Sequence, residues 1–119
     1  MNQIDFSIIF PSRDHQGLLF NLLTSLSNNT KYLSRIEVLI AIDECDPNMQ
    51  EFAKTHAFTF VKFFTVKRSL NFSRDYYNYL YKQSQGRWII ACNDDSEFLT
   101  KEWDAQAKAA LEKYIAQHN

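Results

Sequence analysis

Apolar residues fall along this chain in two alternating rhythms, short unbroken runs and helical repeats. "FSIIF" (Phe6 to Phe10) is apolar on both faces and stops at Pro11, the pattern of a buried parallel strand. Leu18, Leu19, Leu22, Leu23 and Leu26 then recur at helical spacing, with Ser12 or Asp14 placed to cap the start. "IEVLIAI" (Ile36 to Ile42) repeats the buried-strand pattern and gives way to the polar "DECDPN". Pro47 suits a first helical turn and predicts a short helix from about Asn48 to His56. "FTFVKFFTV" (Phe58 to Val66) is rich in β-branched and aromatic residues and reads as a third strand. Asn71 or Ser73 then caps a helix running to about Gln83, and Gly86 sits where that helix can end. "RWIIAC" (Arg87 to Cys92) is the fourth strand. Trp103, Ala107, Ala110, Leu111 and Tyr114 mark a last helix from about Lys101 to Gln117.

Strands that alternate with helices pair in parallel through crossovers, so the expected fold class is α/β, a three-layer sandwich. In open α/β sheets, ligands bind outside the carboxyl ends of the strands. The loops to watch are therefore "PSRDHQ", "DECDPN" and "NDDSEF", after the first, second and fourth strands. All three are polar and two are acidic.

Composition narrows the possibilities. At 119 residues the chain suits one domain without repeats, low-complexity tracts or linkers. A hydrophobic fraction of 45% and a charged fraction of 23% are those of an ordinary globular protein. The net charge of -1 supplies no basic field for nucleic acid or an anionic membrane. No apolar run approaches the roughly 20 residues of a membrane span, and the start lacks signal-peptide character, so a reducing cytoplasmic setting is the default expectation. Cys45 and Cys92 have no CxxC spacing and are expected to be small packing residues. Only two glycines are present, which excludes a GxGxxG or Walker A loop, and there is no GxSxG elbow. A phosphorylation receiver would carry its acidic pair after the first strand, whereas here the pair follows the fourth. His15, His56 and His118 are scattered and read as ordinary surface or loop residues.

What remains is an acidic cluster at the mouth of a crevice. Adjacent carboxylates can divide their work, one reaching a hydroxyl and the other a hard divalent ion that bridges diphosphate oxygens. "NDDSE" alone is equally a solvated loop or a cap.

The three loops together resemble those of inverting glycosyltransferases of family 2. "SIIFPSRDHQGLLFNLLTSL" is similar to the family's opening strand, turn and leucine-rich helix; "IEVLIAIDECD" to its second strand ending in an aspartate; "NYLYKQSQGRWIIACNDDSEF" to its Asn, Gly, strand and DXD-type motif. The resemblance covers nearly the whole chain and implies the N-terminal, nucleotide-sugar-binding half of a GT-A fold, Rossmann-like, with about four strands in the order 3-2-1-4. It implies a UDP-sugar or related nucleotide-sugar donor, and Mn²⁺ or Mg²⁺ as cofactor. Pro11, Ser12 and Arg13 match the turn along the nucleotide base. Asp43 matches the aspartate that hydrogen-bonds the base, a carboxylate being able to accept from the N3–H of uracil. Asp94 matches the acid near the donor hydroxyls and Asp95 the metal ligand. Asn93 stands where many members have the first Asp of DXD, and Glu97 reaches the metal at most through water.

Each assignment has a plainer rival. Pro11 and Ser12 could end a strand and cap a helix, Asp43 could cap the turn before Pro47, and Asp46 suits an Asx-turn. The sequence also departs from the family. Many members carry Arg before the Asn matched by Asn78, where this chain has Tyr77, so Arg68 or Arg74, with Lys67, is expected to supply the positive charge instead. Members continue with an acceptor half that carries the general base needed to deprotonate the acceptor hydroxyl. By the resemblance, residues 1–119 are a truncated domain whose base lies beyond Asn119. The rival readings are a non-catalytic nucleotide-sugar-binding module and a structural α/β fragment. An uncovered sheet edge would favour a homodimer under any of the three readings.

Overall fold

In the computed structural model, residues 3–118 are described. They form a four-stranded parallel sheet in the order β3-β2-β1-β4 with helices on both faces, a Rossmann-like α/β fold. The central strands β1 (Phe6–Ser12) and β2 (Ile36–Asp43) are buried almost throughout. The edge strands β3 (Val61–Val66) and β4 (Trp88–Ala91) are only partly covered. This gradient explains the sequence pattern, since a strand between two partners and two helix layers has no face left for water.

One face of the sheet packs α1 (Gln16–Asn29), α2 (Pro47–Thr55) and α4 (Trp103–His118) against Phe6, Ile8, Phe10, Val38, Ile40 and Ile42. The other face receives one helical segment, which starts as a five-residue π turn (Ser73–Tyr77) and continues as α3 (Asn78–Gln83). Its core is small: Ile9, Leu39, Ala41, Tyr76 and Leu80.

Several local expectations need correction. The α1 N-cap is His15, without a side-chain cap bond. The two expected cappers are used elsewhere: Ser12 donates to Asp94, and Asp14 accepts from Asn48. Leu18 and Phe20 point outward, and Phe20 meets Phe58 edge-on. β3 begins three residues later than the apolar run, because residues 58–60 lead from α2 into the strand as a turn, with Phe60 buried and its carbonyl accepting from the Val38 N–H at 2.9 Å. On α4, Trp103, Ala107 and Leu111 face the core, whereas Ala110 is exposed and exposed Tyr114 stacks on His118. Cys45 is exposed rather than packed, because the Glu44–Cys45 turn lies beyond the end of β2. Other expectations hold. Asn71 Oδ1 accepts from the Arg74 N–H to cap the π turn, and Asp46 caps α2 through the Met49 N–H with Pro47 in the first turn.

Gly86 is required by packing. A Cβ there would lie 2.5 Å from Ser7 Oγ and 2.6 Å from Ser7 N. Its N–H donates to Ser7 Oγ at 2.8 Å, which docks the α3–β4 connection against β1.

Candidate functional site

Strand register sets the site. Ser12 pairs with Ile42 and Ile9 with Ala91, so the ends of β1, β2 and β4 bring residues 11–15, 43–46 and 92–95 onto one rim. At its centre is Arg13. Its Nε donates to Asp43 Oδ2 at 2.8 Å, and its Nη2 donates to Ser69 O and Tyr76 Oη, both at 2.8 Å. Tyr76 Oη also accepts from Ser69 N at 2.9 Å and donates to Asp43 Oδ1 at 2.6 Å. The guanidinium lies 5.0 Å from the Phe72 ring centroid and 5.5 Å from that of Tyr76, within cation–π range. The Tyr76 hydroxyl, and after it Asp43, hold Arg13 above its ordinary pKa against the cost of burial.

The β4 loop joins the same rim. Asp94 Oδ2 accepts from Ser12 Oγ at 2.9 Å and lies 3.1 Å from His15 Nδ1. Tyr77 donates to Cys92 O at 2.8 Å and lies 3.3 Å from Asn93 Oδ1, bracing the loop from the π turn. Burial, reinforced by Asp94 and Asp95, pushes the Cys92 thiol up to about 12. Burial first, then Cys92 and Asp94, also raises the Tyr77 phenol. Asp14, with φ of 44°, sits in the left-handed region that aspartate tolerates better than most residues. Its N–H donates to Asp46 Oδ2 and its carboxylate accepts from Asn48, both at 2.8 Å, which ties the β1 loop to the start of α2.

Two clefts flank Arg13. One, of about 350 Å³, is lined by Pro11, Arg13, Phe72, Tyr77, Asn93 and Asp94. The other, of about 370 Å³, includes Arg13, Asp43, Cys45, Asp46 and Arg68. Pro11, Ser12, Arg13, Asp43, Asn93 and Asp94 thus converge as the spacing implied, with Arg68 at the margin. Asp95 is exposed beside them, and its carboxylate has no hydrogen-bond partner among the described residues. Arg74 does not join: it forms a two-point pair with Asp75 at 2.8 and 2.9 Å. That pairing and the Ser69 hydroxyl hold the half-buried Asp75 carboxyl at about 2. Arg74, Lys67 and Arg68 line a basic cleft of about 570 Å³ at the end of β3. Three strand spacings, roughly 14 Å, separate the ends of β3 and β4. Asn78 is exposed on α3 and lines neither cleft beside Arg13.

Sequence reasoning missed Tyr76, Phe72 and His15. The adjacent tyrosines looked like one more helical turn. Only the π turn aims Tyr76 at Arg13 and Tyr77 at the β4 loop, a geometry that recurs at functional sites. His15 gave no local signal, because its partner is 79 residues away.

No protein-family model matches the chain, and no curated protein does. Solved structures do. The crystal structure of S. aureus TarS 1-349 superposes with a TM-score of 0.77 at 22% identity, covering 92% of this chain and 33% of that one. A longer crystal structure of S. aureus TarS gives 0.73 at 20% identity, covering 94% of this chain and 20% of that one. S. aureus TarS 1-349 in complex with UDP gives 0.70 at 19% identity, covering 92% of this chain and 32% of that one. At these identities the likeness establishes the fold. The chain spans a third or less of the length of the chains it matches. Among the described residues, no helix is long and apolar enough to cross a membrane.

Proposed function

We propose that this rim binds a nucleotide-diphosphate sugar, with a UDP-sugar the first candidate, as the donor site of a glycosyltransferase of the family 2, GT-A kind. The observation that carries the reading is the convergence of Arg13, Asp43 and Asp94 from three separate loops onto two clefts at the carboxyl ends of the strands, where open α/β sheets bind ligands. The family resemblance in those loops and the UDP held by a structural neighbour support it.

In this reading Pro11 and Phe72 offer apolar surface to the base, and Arg13 offers a fixed positive charge. Asp94 Oδ1, which has no partner among the described residues, accepts from a donor hydroxyl, while Ser12 and His15 hold the carboxylate by its other oxygen. Mn²⁺ or Mg²⁺ would be held by Asp95. Among the described residues no group of three or more His, Cys, Asp or Glu could hold a metal by itself. A single free carboxylate nevertheless suits magnesium-like ions, which take one or two carboxylates and complete their shell with water and substrate phosphates. Such an ion neutralises charge on the leaving diphosphate. Arg68, which lines the cleft with Arg13 and Asp43, would meet the outer edge of the nucleotide.

Isothermal titration with UDP, with and without Mn²⁺, tests the proposal. Binding that strengthens with Mn²⁺ and loses that gain in Asp95→Ala is expected. No heat under either condition, and no change in Asp95→Ala, would overturn it.

A further inference from the structure

The expected base-reading acceptor, Asp43, is already occupied. Its carboxylate is 2% exposed, with Oδ2 taken by Arg13 and Oδ1 by Tyr76. Each oxygen keeps a second lone pair, but at 2% exposure a ligand N–H reaches it only if Arg13 or Tyr76 is displaced, and a buried carboxylate that gives up a charged donor loses a strong bond. Arg13 is in the opposite condition. Nε and Nη2 are spent inside the network, while Nη1 makes no hydrogen bond among the described residues. The side chain is 26% exposed and lines both clefts. The network thus presents a donor to the ligand and keeps its acceptor hidden.

We propose that Asp43 and Tyr76 are positioning residues and that Arg13 is the group that reads the ligand, through an acceptor atom of the base rather than through a ring N–H. The inference rests on the nucleotide reading above. It has a consequence for specificity. Uracil and cytosine share the O2 acceptor but differ at N3, which is a donor in uracil and an acceptor in cytosine. A carboxylate at that position would select uracil strongly, because cytosine would leave a buried acceptor facing another acceptor. A guanidinium donor meets an acceptor on either base.

The experiment compares UDP and CDP by isothermal titration against the full chain in Mn²⁺. The two dissociation constants are expected within about threefold of each other, since neither base leaves Arg13 unpaired. Tyr76→Phe, which keeps the ring and removes the hydroxyl, should weaken both nucleotides equally by about tenfold, the effect of one lost charge-assisted anchor. Asp43→Asn should weaken both without separating them. Binding is read well below each variant's thermal midpoint. A Tyr76→Phe protein that melts lower yet binds as the parent does would make Tyr76 merely structural and overturn the positioning role. CDP binding more than about tenfold weaker than UDP, with the gap abolished in Asp43→Asn, would put Asp43 on the base and overturn the inference while leaving the nucleotide reading intact. No binding of either nucleotide overturns both.

Discussion

Strand β2 carries two buried acids on the same face of the sheet, Glu37 at one end and Asp43 at the other, 3% and 2% exposed. They serve opposite purposes. Glu37 accepts from Ser7 Oγ at 2.6 Å, from the Gln85 N–H at 2.7 Å and from Lys62 Nζ at 3.2 Å. Ser7 in turn accepts from the Gly86 N–H. Two main-chain N–H groups, a hydroxyl and a lysine thus cross-link that end. Asp43 is held by the side chains of Arg13 and Tyr76, one of which has a donor to spare. Cleft volume does not separate the two ends, for a cleft of about 360 Å³ opens beside Glu37 as well. The difference lies in what the partners join: Glu37 ties β1, β3 and the α3–β4 connection to β2, whereas the partners of Asp43 stand at the carboxyl ends of the strands, where Arg13 keeps an unused donor beside two clefts.

The largest break in this contrast should come from Gly86→Ala. The new methyl meets Ser7 main chain, which cannot swing aside, so a loss of about 3 kcal/mol is expected, a fall of roughly 10 °C in thermal midpoint. Differential scanning calorimetry reads it, and nucleotide affinity below the transition should be unchanged. Glu37→Ala orphans the Gln85 N–H and strips Lys62 of its partner. It should cost about 2 kcal/mol in chemical denaturation, again without touching affinity. A loss of nucleotide affinity in either variant would mean that the closed end belongs to the site.

A smaller effect concerns pH. His56 lies among Phe52, Phe58 and Phe63 near the closed end, and burial lowers its pKa. The unfolded chain therefore binds its proton first. The stabilisation is complete above about pH 6.5, the ordinary histidine value, and is lost as pH falls from there through the lower folded value. Denaturation midpoints measured from pH 7.5 to 5 should fall, and His56→Leu should flatten the slope.

The smallest expected signal belongs to the open end. Cys92, with its thiol pushed up to about 12, should resist iodoacetamide at pH 8, while exposed Cys45 is modified. Because Cys45 lines the cleft with Arg13 and Asp43, a bound nucleotide should slow its labelling, as followed by mass spectrometry.

Much of this was legible in the sequence. The four apolar runs became the four parallel strands because a strand buried on both faces must be apolar throughout, and the order 3-2-1-4 followed the family resemblance. Arg13, Asp43 and Asp94 were legible as site candidates because they stand at or just past the carboxyl ends of strands, where the fold rule places ligands. Arg74 was misleading. Its charge could be read, but its neutralisation by the adjacent Asp75 depends on how the turn presents the two side chains. Tyr76 was invisible because helical periodicity assumes 3.6 residues per turn, and the π turn breaks that assumption.

By itself, then, the sequence determined the alternation of buried strands and helices, and with it the rim on which polar loops must gather. Periodicity is a local property, and burial follows from it. Only the tertiary structure decided which polar groups on that rim are spent and which are free. Hydrogen bonds between residues 30 to 82 apart, such as Arg13 to Asp43 and Ser12 to Asp94, depend on strand register and side-chain direction, which no local pattern encodes.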